Sequence, residues 1–334
     1  MAEHSLQRPL IAVVGGNTLL AREIRELLAD SKPSPRLQLI SAAADDSMLL
    51  SADDEEPVVL PPLSAQSLEG ASIAFLAGSA ASSRRALKLT PPGGPRLIDL
   101  TGSLEQRPNA RLRAPSAEPA PVLPAESAIQ VVAHPAAIAI AMLLGSLVKA
   151  GAIRRSIVHV FEPASERGQQ GLEELRQQTV AVLSFQKLKD EVFDAQLSFN
   201  LLARYGEEAL EPLESVEQRM ERHVASLLAS RPGVPMPSLR LIQAPVFHGH
   251  SFSVWVEFEE NPGVQALAAA FAASGFEVRS EDPPTNAGIA GQSGLAVGAI
   301  STDRNHPRAC WFWAVADNLR LAAENAVAIA REVL

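Results

Sequence analysis

The chain has 334 residues, is 47% hydrophobic and 20% charged, and carries a net charge of −9. That length and composition suffice for two ordinary domains with a sizeable core. The acidic balance, with no basic patch of interleaved aromatics, excludes a nucleic-acid partner. A single cysteine, Cys310, permits neither an intramolecular disulfide nor a cysteine metal site, and no metal is expected. The polar first nine residues lack a signal-peptide core, and the longest apolar run, 136–148, is too short to span a bilayer. A cytoplasmic protein without a membrane partner is therefore expected.

The β-branched run 10–14 meets Gly15-Gly16, and a helical apolar pattern follows at Leu19, Leu20, Ile24, Leu27 and Leu28. Strand, tight glycine turn and amphipathic helix open a Rossmann-like unit. Further strands are expected at 36–40, 73–76, 97–100 and 131–133. Gly78-Ser79-Ala80-Ala81-Ser82 opens a helix after the second of them. Residues 44–62 read as an acidic surface excursion and 107–124 as an extended loop. Pro135 is placed to start a helix over 136–147 that is apolar nearly all round and hence buried.

The pattern then changes. Strands are expected at 156–161, 240–246, 251–258, 295–300 and 309–315. Helices are expected at 171–183, 214–229 and 318–333, the first presenting Leu172, Leu175, Val180 and Leu183 on one face. The fold class is α/β: an N-terminal Rossmann-like parallel sheet, then an α+β domain with a mixed, largely antiparallel sheet. The expected division is 1–133 with 316–334 for the first, and 134–315 for the second.

Five stretches, in order along almost the whole chain, resemble the aspartate-semialdehyde dehydrogenase family. They are IAVVGGNTLLARE, VVAHPAAIAIAMLL, FEPASERGQQGLEELRQQT, QAPVFHGHS and VADNLRLAAENAVAIAREVL. The second matches the family's Asn-Pro-Asn-Cys before a helix, and the third its Gln-x-x-Ser-Gly-x-Gly. SFNLL and QAPVFHGHS also look like the family's divergent Usg-type branch. The resemblance implies a two-domain NAD(P)-dependent oxidoreductase of amino-acid biosynthesis. In it a cysteine thiolate at a helix N-terminus attacks an aldehyde, hydride passes to nicotinamide, and phosphate releases an acyl phosphate.

Residue by residue, the resemblance also shows what is missing. The nucleophile position is Ala137, which has no heteroatom, and the neighbouring asparagine position is Ala136. His250 matches the general-base histidine, and without a cysteine partner a packing role is expected for it. The substrate-clamping arginine, seven residues earlier, is Gln243. The phosphate-binding arginine position is Glu105, the family glutamine is Glu162, and the substrate lysine is Arg219. A neutral amide cannot grip a carboxylate as a guanidinium fork does, and a carboxylate repels phosphate. Cys310, in an apolar strand, reads as a small buried hydrophobe.

For the cofactor, the first loop offers Gly15, Gly16, Asn17 and Thr18, with Thr18 and Ala21 replacing two family glycines. Ala44 stands where relatives hold the 2′-phosphate of NADP, followed by Asp45 and Asp46. Gly78 and Ser79 keep the small-residue loop that passes under the nucleotide. NAD or NADP is thus a possible ligand. Standard thioester activity is expected to be lost, leaving a binding paralogue. Alternatives are an NAD-dependent oxidoreductase using His250 without a thiol, or a structural, partner-binding dimer. A homodimer is implied, with Trp255, Trp311 and Trp313 as candidate interface area, or a mixed dimer with a related dehydrogenase subunit.

Overall fold

The computed structural model describes residues 8–43, 49–52, 57–119 and 129–334. These form two compact units. The first comprises residues 1–115, 120–133 and 322–334, and the second 116–119 and 134–321.

The first unit begins with β1 (Leu10–Val14), α1 (Leu19–Ala29), β2 (Arg36–Ile40), the hairpin β3 (Leu49–Ala52) and β4 (Pro57–Leu60), and the short α2 (Ala65–Leu68). Then come β5 (Ile73–Leu76), α3 (Ala80–Leu89), β6 (Arg96–Asp99), β7 (Ala110–Arg113) and β8 (Ile129–Val132). Six strands pair in the order β2-β1-β5-β6-β8-β7, every pair parallel. β5 and β8 are buried at every residue, as continuous apolar strands must be in a parallel sheet covered on both faces. The reading of 107–124 as loop is corrected by β7. Its alternating Ala-Arg-Leu-Arg carries no apolar run, and the strand is held at the sheet edge from within. Arg113, fully buried, pairs with Glu332 at 2.5 Å. The acidic excursion likewise contains the β3–β4 hairpin.

The second unit contains α4 (Pro135–Leu147), β9 (Ile153–Glu162), a 3-10 turn (Ala164–Arg167), α5 (Gly168–Leu183) and α6 (Leu213–Leu228). It continues with β10 (Ser238–Gln243), β11 (His250–Phe258), α7 (Val264–Ala273), β12 (Glu277–Arg279), α8 (Asn286–Ile289), β13 (Leu295–Thr302) and β14 (Ala309–Ala316). The sheet order is β10-β9-β11-β14-β13-β12, with three antiparallel pairs inside and a parallel pair at each edge. The closing helix α9 (Asn318–Val333) begins in this unit, and its residues from Ala322 onward belong to the first. α4 is buried along most of its length and packs on α6 and α7. The segment 259–294, for which the sequence suggests no element, holds α7, β12 and α8.

α5 departs from the expected facing. Leu175 is buried, but Val180 and Leu183 are 51% and 68% exposed. The buried face instead carries Glu174 and Gln178. Glu174 accepts the amides of Val192 and Phe193, while Gln178 accepts those of Leu197 and Ser198 and donates to the carbonyls of Lys189 and Ala195. These side chains satisfy the backbone of a segment with no ladder of its own, which is why polar groups sit inward.

Candidate functional site

In the first unit the strand order reverses direction of travel between β1 and β5, and the two glycine loops leave the carboxyl ends of those neighbours. This is where open parallel sheets place ligands. Gly15 has φ +88°, and a Cβ there would lie 2.5 Å from the Gly78 Cα, so the loops touch backbone to backbone. The amides of Gly15 and Gly16 both donate to the Ile40 carbonyl, tying the loop to β2. Thr18 caps α1 by accepting the Ala21 amide at 3.2 Å, and its hydroxyl donates to the Ala77 carbonyl at 3.0 Å. Ser79 caps α3 in a reciprocal box with Ser82. Asn17 is exposed beside the cap. Arg85, which the sequence does not single out, donates to the Ala43 carbonyl at 2.6 Å and so braces the turn after β2. Ala44, Asp45 and Asp46 lie outside the described residues. Glu105 sits in the turn after β6 that the buried Asp99 organises by accepting from Thr101 and Leu104.

The second unit gathers Ala137, Glu162, Arg219, Gln243 and His250. Ala137 is the third residue of α4 and fully buried. Before it, His134 is the N-cap. Its Nδ1 accepts the Ala136 amide at 3.2 Å, and its own amide donates to His223 Nδ1 at 2.9 Å. A ring that accepts at Nδ1 carries its proton on Nε2, so neutral His134 is a fixed Nε2–H donor. Burial, then the neighbouring His250, holds it well below the usual histidine range. His250 is also buried and desolvated, to about 4, so both imidazoles are neutral at pH 7.

Glu166 lies between them. Its two carboxylate oxygens are 3.8 Å from His134 Nε2 and 3.8 Å from His250 Nε2, and neither nitrogen has a hydrogen-bond partner. The Asn318 amide donates to Glu166 at 3.0 Å, and the Asn318 carbonyl oxygen accepts from Ser165 and from the Gly249 amide. Asn318 therefore fixes both the carboxylate and the loop that delivers His250. Burial raises Glu166 above its ordinary range, partly offset by Asn318 and Arg167.

Gln243, Glu162 and Arg219 are engaged by internal partners. Gln243 donates to the carbonyls of Glu162 and Ala244 and accepts from the Tyr205 hydroxyl at 2.6 Å, leaving no amide group for a ligand. Arg167 pairs with Glu211 at 2.6 Å and with Glu162 at 3.3 Å, and Arg219 with Glu211 at 3.5 Å. Glu162 is fully buried, and desolvation outweighs Arg167 to raise its carboxyl to about 7. Cys310 is buried in β14, its thiol donating to Asn261 and pushed up by desolvation. Among the described residues no cluster of three or more metal-ligating side chains is set to hold a metal ion.

His134, Glu166, Arg167, Tyr205 and Asn318 are the site residues that sequence reading missed. Two left a trace. Glu166 occupies the glycine of the Gln-x-x-Ser-Gly-x-Gly pattern, and His134 the first asparagine of Asn-Pro-Asn-Cys. Tyr205 and Asn318 reach the cluster only through tertiary packing.

The family model described as the semialdehyde dehydrogenase dimerisation domain matches residues 144–321. A USG-1 protein homolog of Pseudomonas aeruginosa is 30% identical over 96% of this chain and 97% of its own. An aspartate-semialdehyde dehydrogenase of Prochlorococcus marinus is 25% identical over 98% and 96%. A solved structure of a probable aspartate-semialdehyde dehydrogenase from Pseudomonas aeruginosa superposes with a TM-score of 0.82 at 27% identity, covering 97% of this chain and 98% of that one. The chain belongs to the semialdehyde dehydrogenase family. Among the described residues no helix is long and apolar enough to cross a membrane.

Proposed function

We propose that this protein is a family member that does not carry out the thioester reaction and serves as a dimeric ligand-binding paralogue. The observation that carries this is Ala137: the place at the start of α4 where the family's thiolate belongs holds a buried methyl group. Binding alone does not replace a nucleophile. Cys310 is no substitute, being buried in a strand with its thiol raised. Gln243, Glu162 and Glu105 point the same way, since none can neutralise a carboxylate or phosphate. Purified protein supplied with aspartate semialdehyde, phosphate and NADP is expected to form no NADPH above the blank. Phosphate-dependent NADPH formation would overturn the reading.

A second reading, a thiol-independent nicotinamide oxidoreductase, draws on the first unit. The backbone contact of Gly15 with Gly78 and the adjacent helix starts fit a dinucleotide, with Gly15, Gly16, Asn17 and Thr18 at the pyrophosphate and Gly78 and Ser79 beneath it. A bound nicotinamide would supply a hydride acceptor, and His250 would be a weak neutral base.

The homodimer is supported by apolar surface left open in the second unit. Ile157 is 39% exposed, Trp311 and Trp313 are half-buried on the same sheet face, and Val180 and Leu183 lie open on α5. Trp255 contributes less than expected, since it is buried already and donates with Trp311 to Asp303. Light scattering should read a dimer, weakened to monomer by Ile157→Asp; a wild-type monomer at micromolar concentration would remove the proposal.

A further inference from the structure

Three polar side chains, His134, Glu166 and His250, meet beside the start of α4. His134 Nε2–H is a fixed neutral donor, held so by the Ala136 amide. It is buried without a partner, as is His250 Nε2. Between them stands Glu166, a carboxylate held by Asn318, with a side chain 16% exposed. The 3.8 Å separations are too long for hydrogen bonds, so each Nε2 stays unpartnered beside the carboxylate. The same tautomer argues against a metal there, because ligation through Nε2 would need the proton on Nδ1, where the Ala136 amide already donates.

A neutral imidazole donor beside a desolvated carboxylate is a pairing suited to polarising a carbonyl and removing the adjacent proton. We propose that Glu166 and His134 form an acid–base site for a small uncharged carbonyl compound, with Glu166 as base and His134 Nε2–H as donor to the carbonyl oxygen. The step balances within the site. The C–H bond next to the carbonyl breaks and its electron pair becomes the carbon–carbon double bond of the enolate. The carbonyl π pair moves onto the oxygen held by His134, and the proton goes to Glu166. Glu166 exchanges that proton with water and returns one to carbon. His250 presents its own Nε2 to the other Glu166 oxygen and walls the site.

The charge pattern disfavours an anionic substrate. Glu162, Glu166, Glu211 and Asp317 face Arg167 and Arg219, and both guanidiniums are already paired with carboxylates. Gln243 offers nothing to an anion.

The test is hydrogen–deuterium exchange at the α-carbon of propanal and of hydroxyacetone in D2O, followed by proton NMR. It needs neither a thiol nor a nucleotide, so it fails or succeeds independently of the dehydrogenase assay. Exchange is expected in proportion to protein concentration, reduced about 100-fold or more in Glu166→Gln. Glu166→Asp, which keeps the charge and shortens the reach, should lie between the two and guards against a misfolded glutamine variant. Exchange at the buffer rate with both probes, or wild-type rates in a folded Glu166→Gln protein, would overturn the proposal.

Discussion

Ala137→Cys is expected to create a thiol without creating a dehydrogenase. The new Sγ would stand in the first turn of α4, where the family's nucleophile stands and where the helix end favours a thiolate. The two arginine positions expected to grip carboxylate and phosphate remain without a cation. The arginine position is Gln243, whose amide is committed to Tyr205 and two carbonyls, and Glu162 and Glu166 stand nearby as carboxylates. Loss of one charge-stabilising contact costs about 10²–10³ in rate, so the variant should stay at least about 100-fold below an active family enzyme. Iodoacetamide labelling of the variant, set beside NADPH fluorescence, separates the thiol from the turnover. Turnover approaching that of an active enzyme would show that the cysteine was the sole deficiency and that the anion sites are still functional.

The second large effect is on stability. Glu162 ionises at about 7 in the folded chain against 4.5 unfolded, because burial outweighs the attraction of Arg167 while Glu166 adds repulsion. The folded state therefore holds this proton more tightly than the unfolded one. The stability it contributes is complete below pH 4.5 and is lost as pH rises through 7. Glu162→Gln keeps an accepting oxygen for Arg167 and removes the ionisation. In urea unfolding at about pH 8.5 the variant should exceed the wild type by up to about 3 kcal/mol, with the advantage gone near pH 4.5. An equal difference at both pH values would mean that this carboxyl does not couple to folding.

The arrangement around Glu166 sets a carboxylate among neutral or already paired groups. Glutamate at a glycine position brings a carboxylate to two neutral histidines, and Arg167 next to it is consumed by Glu162 and Glu211. Glu166 and Arg167 lie on one short stretch, the 3-10 turn after β9, so local sequence sets this cluster on an intact sheet.

What the sequence by itself determined was the scaffold and the alanine at position 137. Period-two and period-3.6 apolar patterns are local, so β1, α1, β5, β9, β11 and α9 could be read directly, as could the parallel sheet followed by a mixed one. That residue 137 carries only a methyl group is a matter of atoms present, legible from one residue. The tertiary structure decided how the remaining polar groups are used. β7 has no apolar pattern; it pairs with β8, and its Arg113 meets Glu332 from the far end of the chain. Glu174 and Gln178 face inward because a distant segment needs their hydrogen bonds. Gln243 is closed by Tyr205, and Glu166 is aimed by Asn318, over separations along the chain that no periodicity encodes. A buried polar group is satisfied by whatever the fold brings beside it, and that is a property of three dimensions.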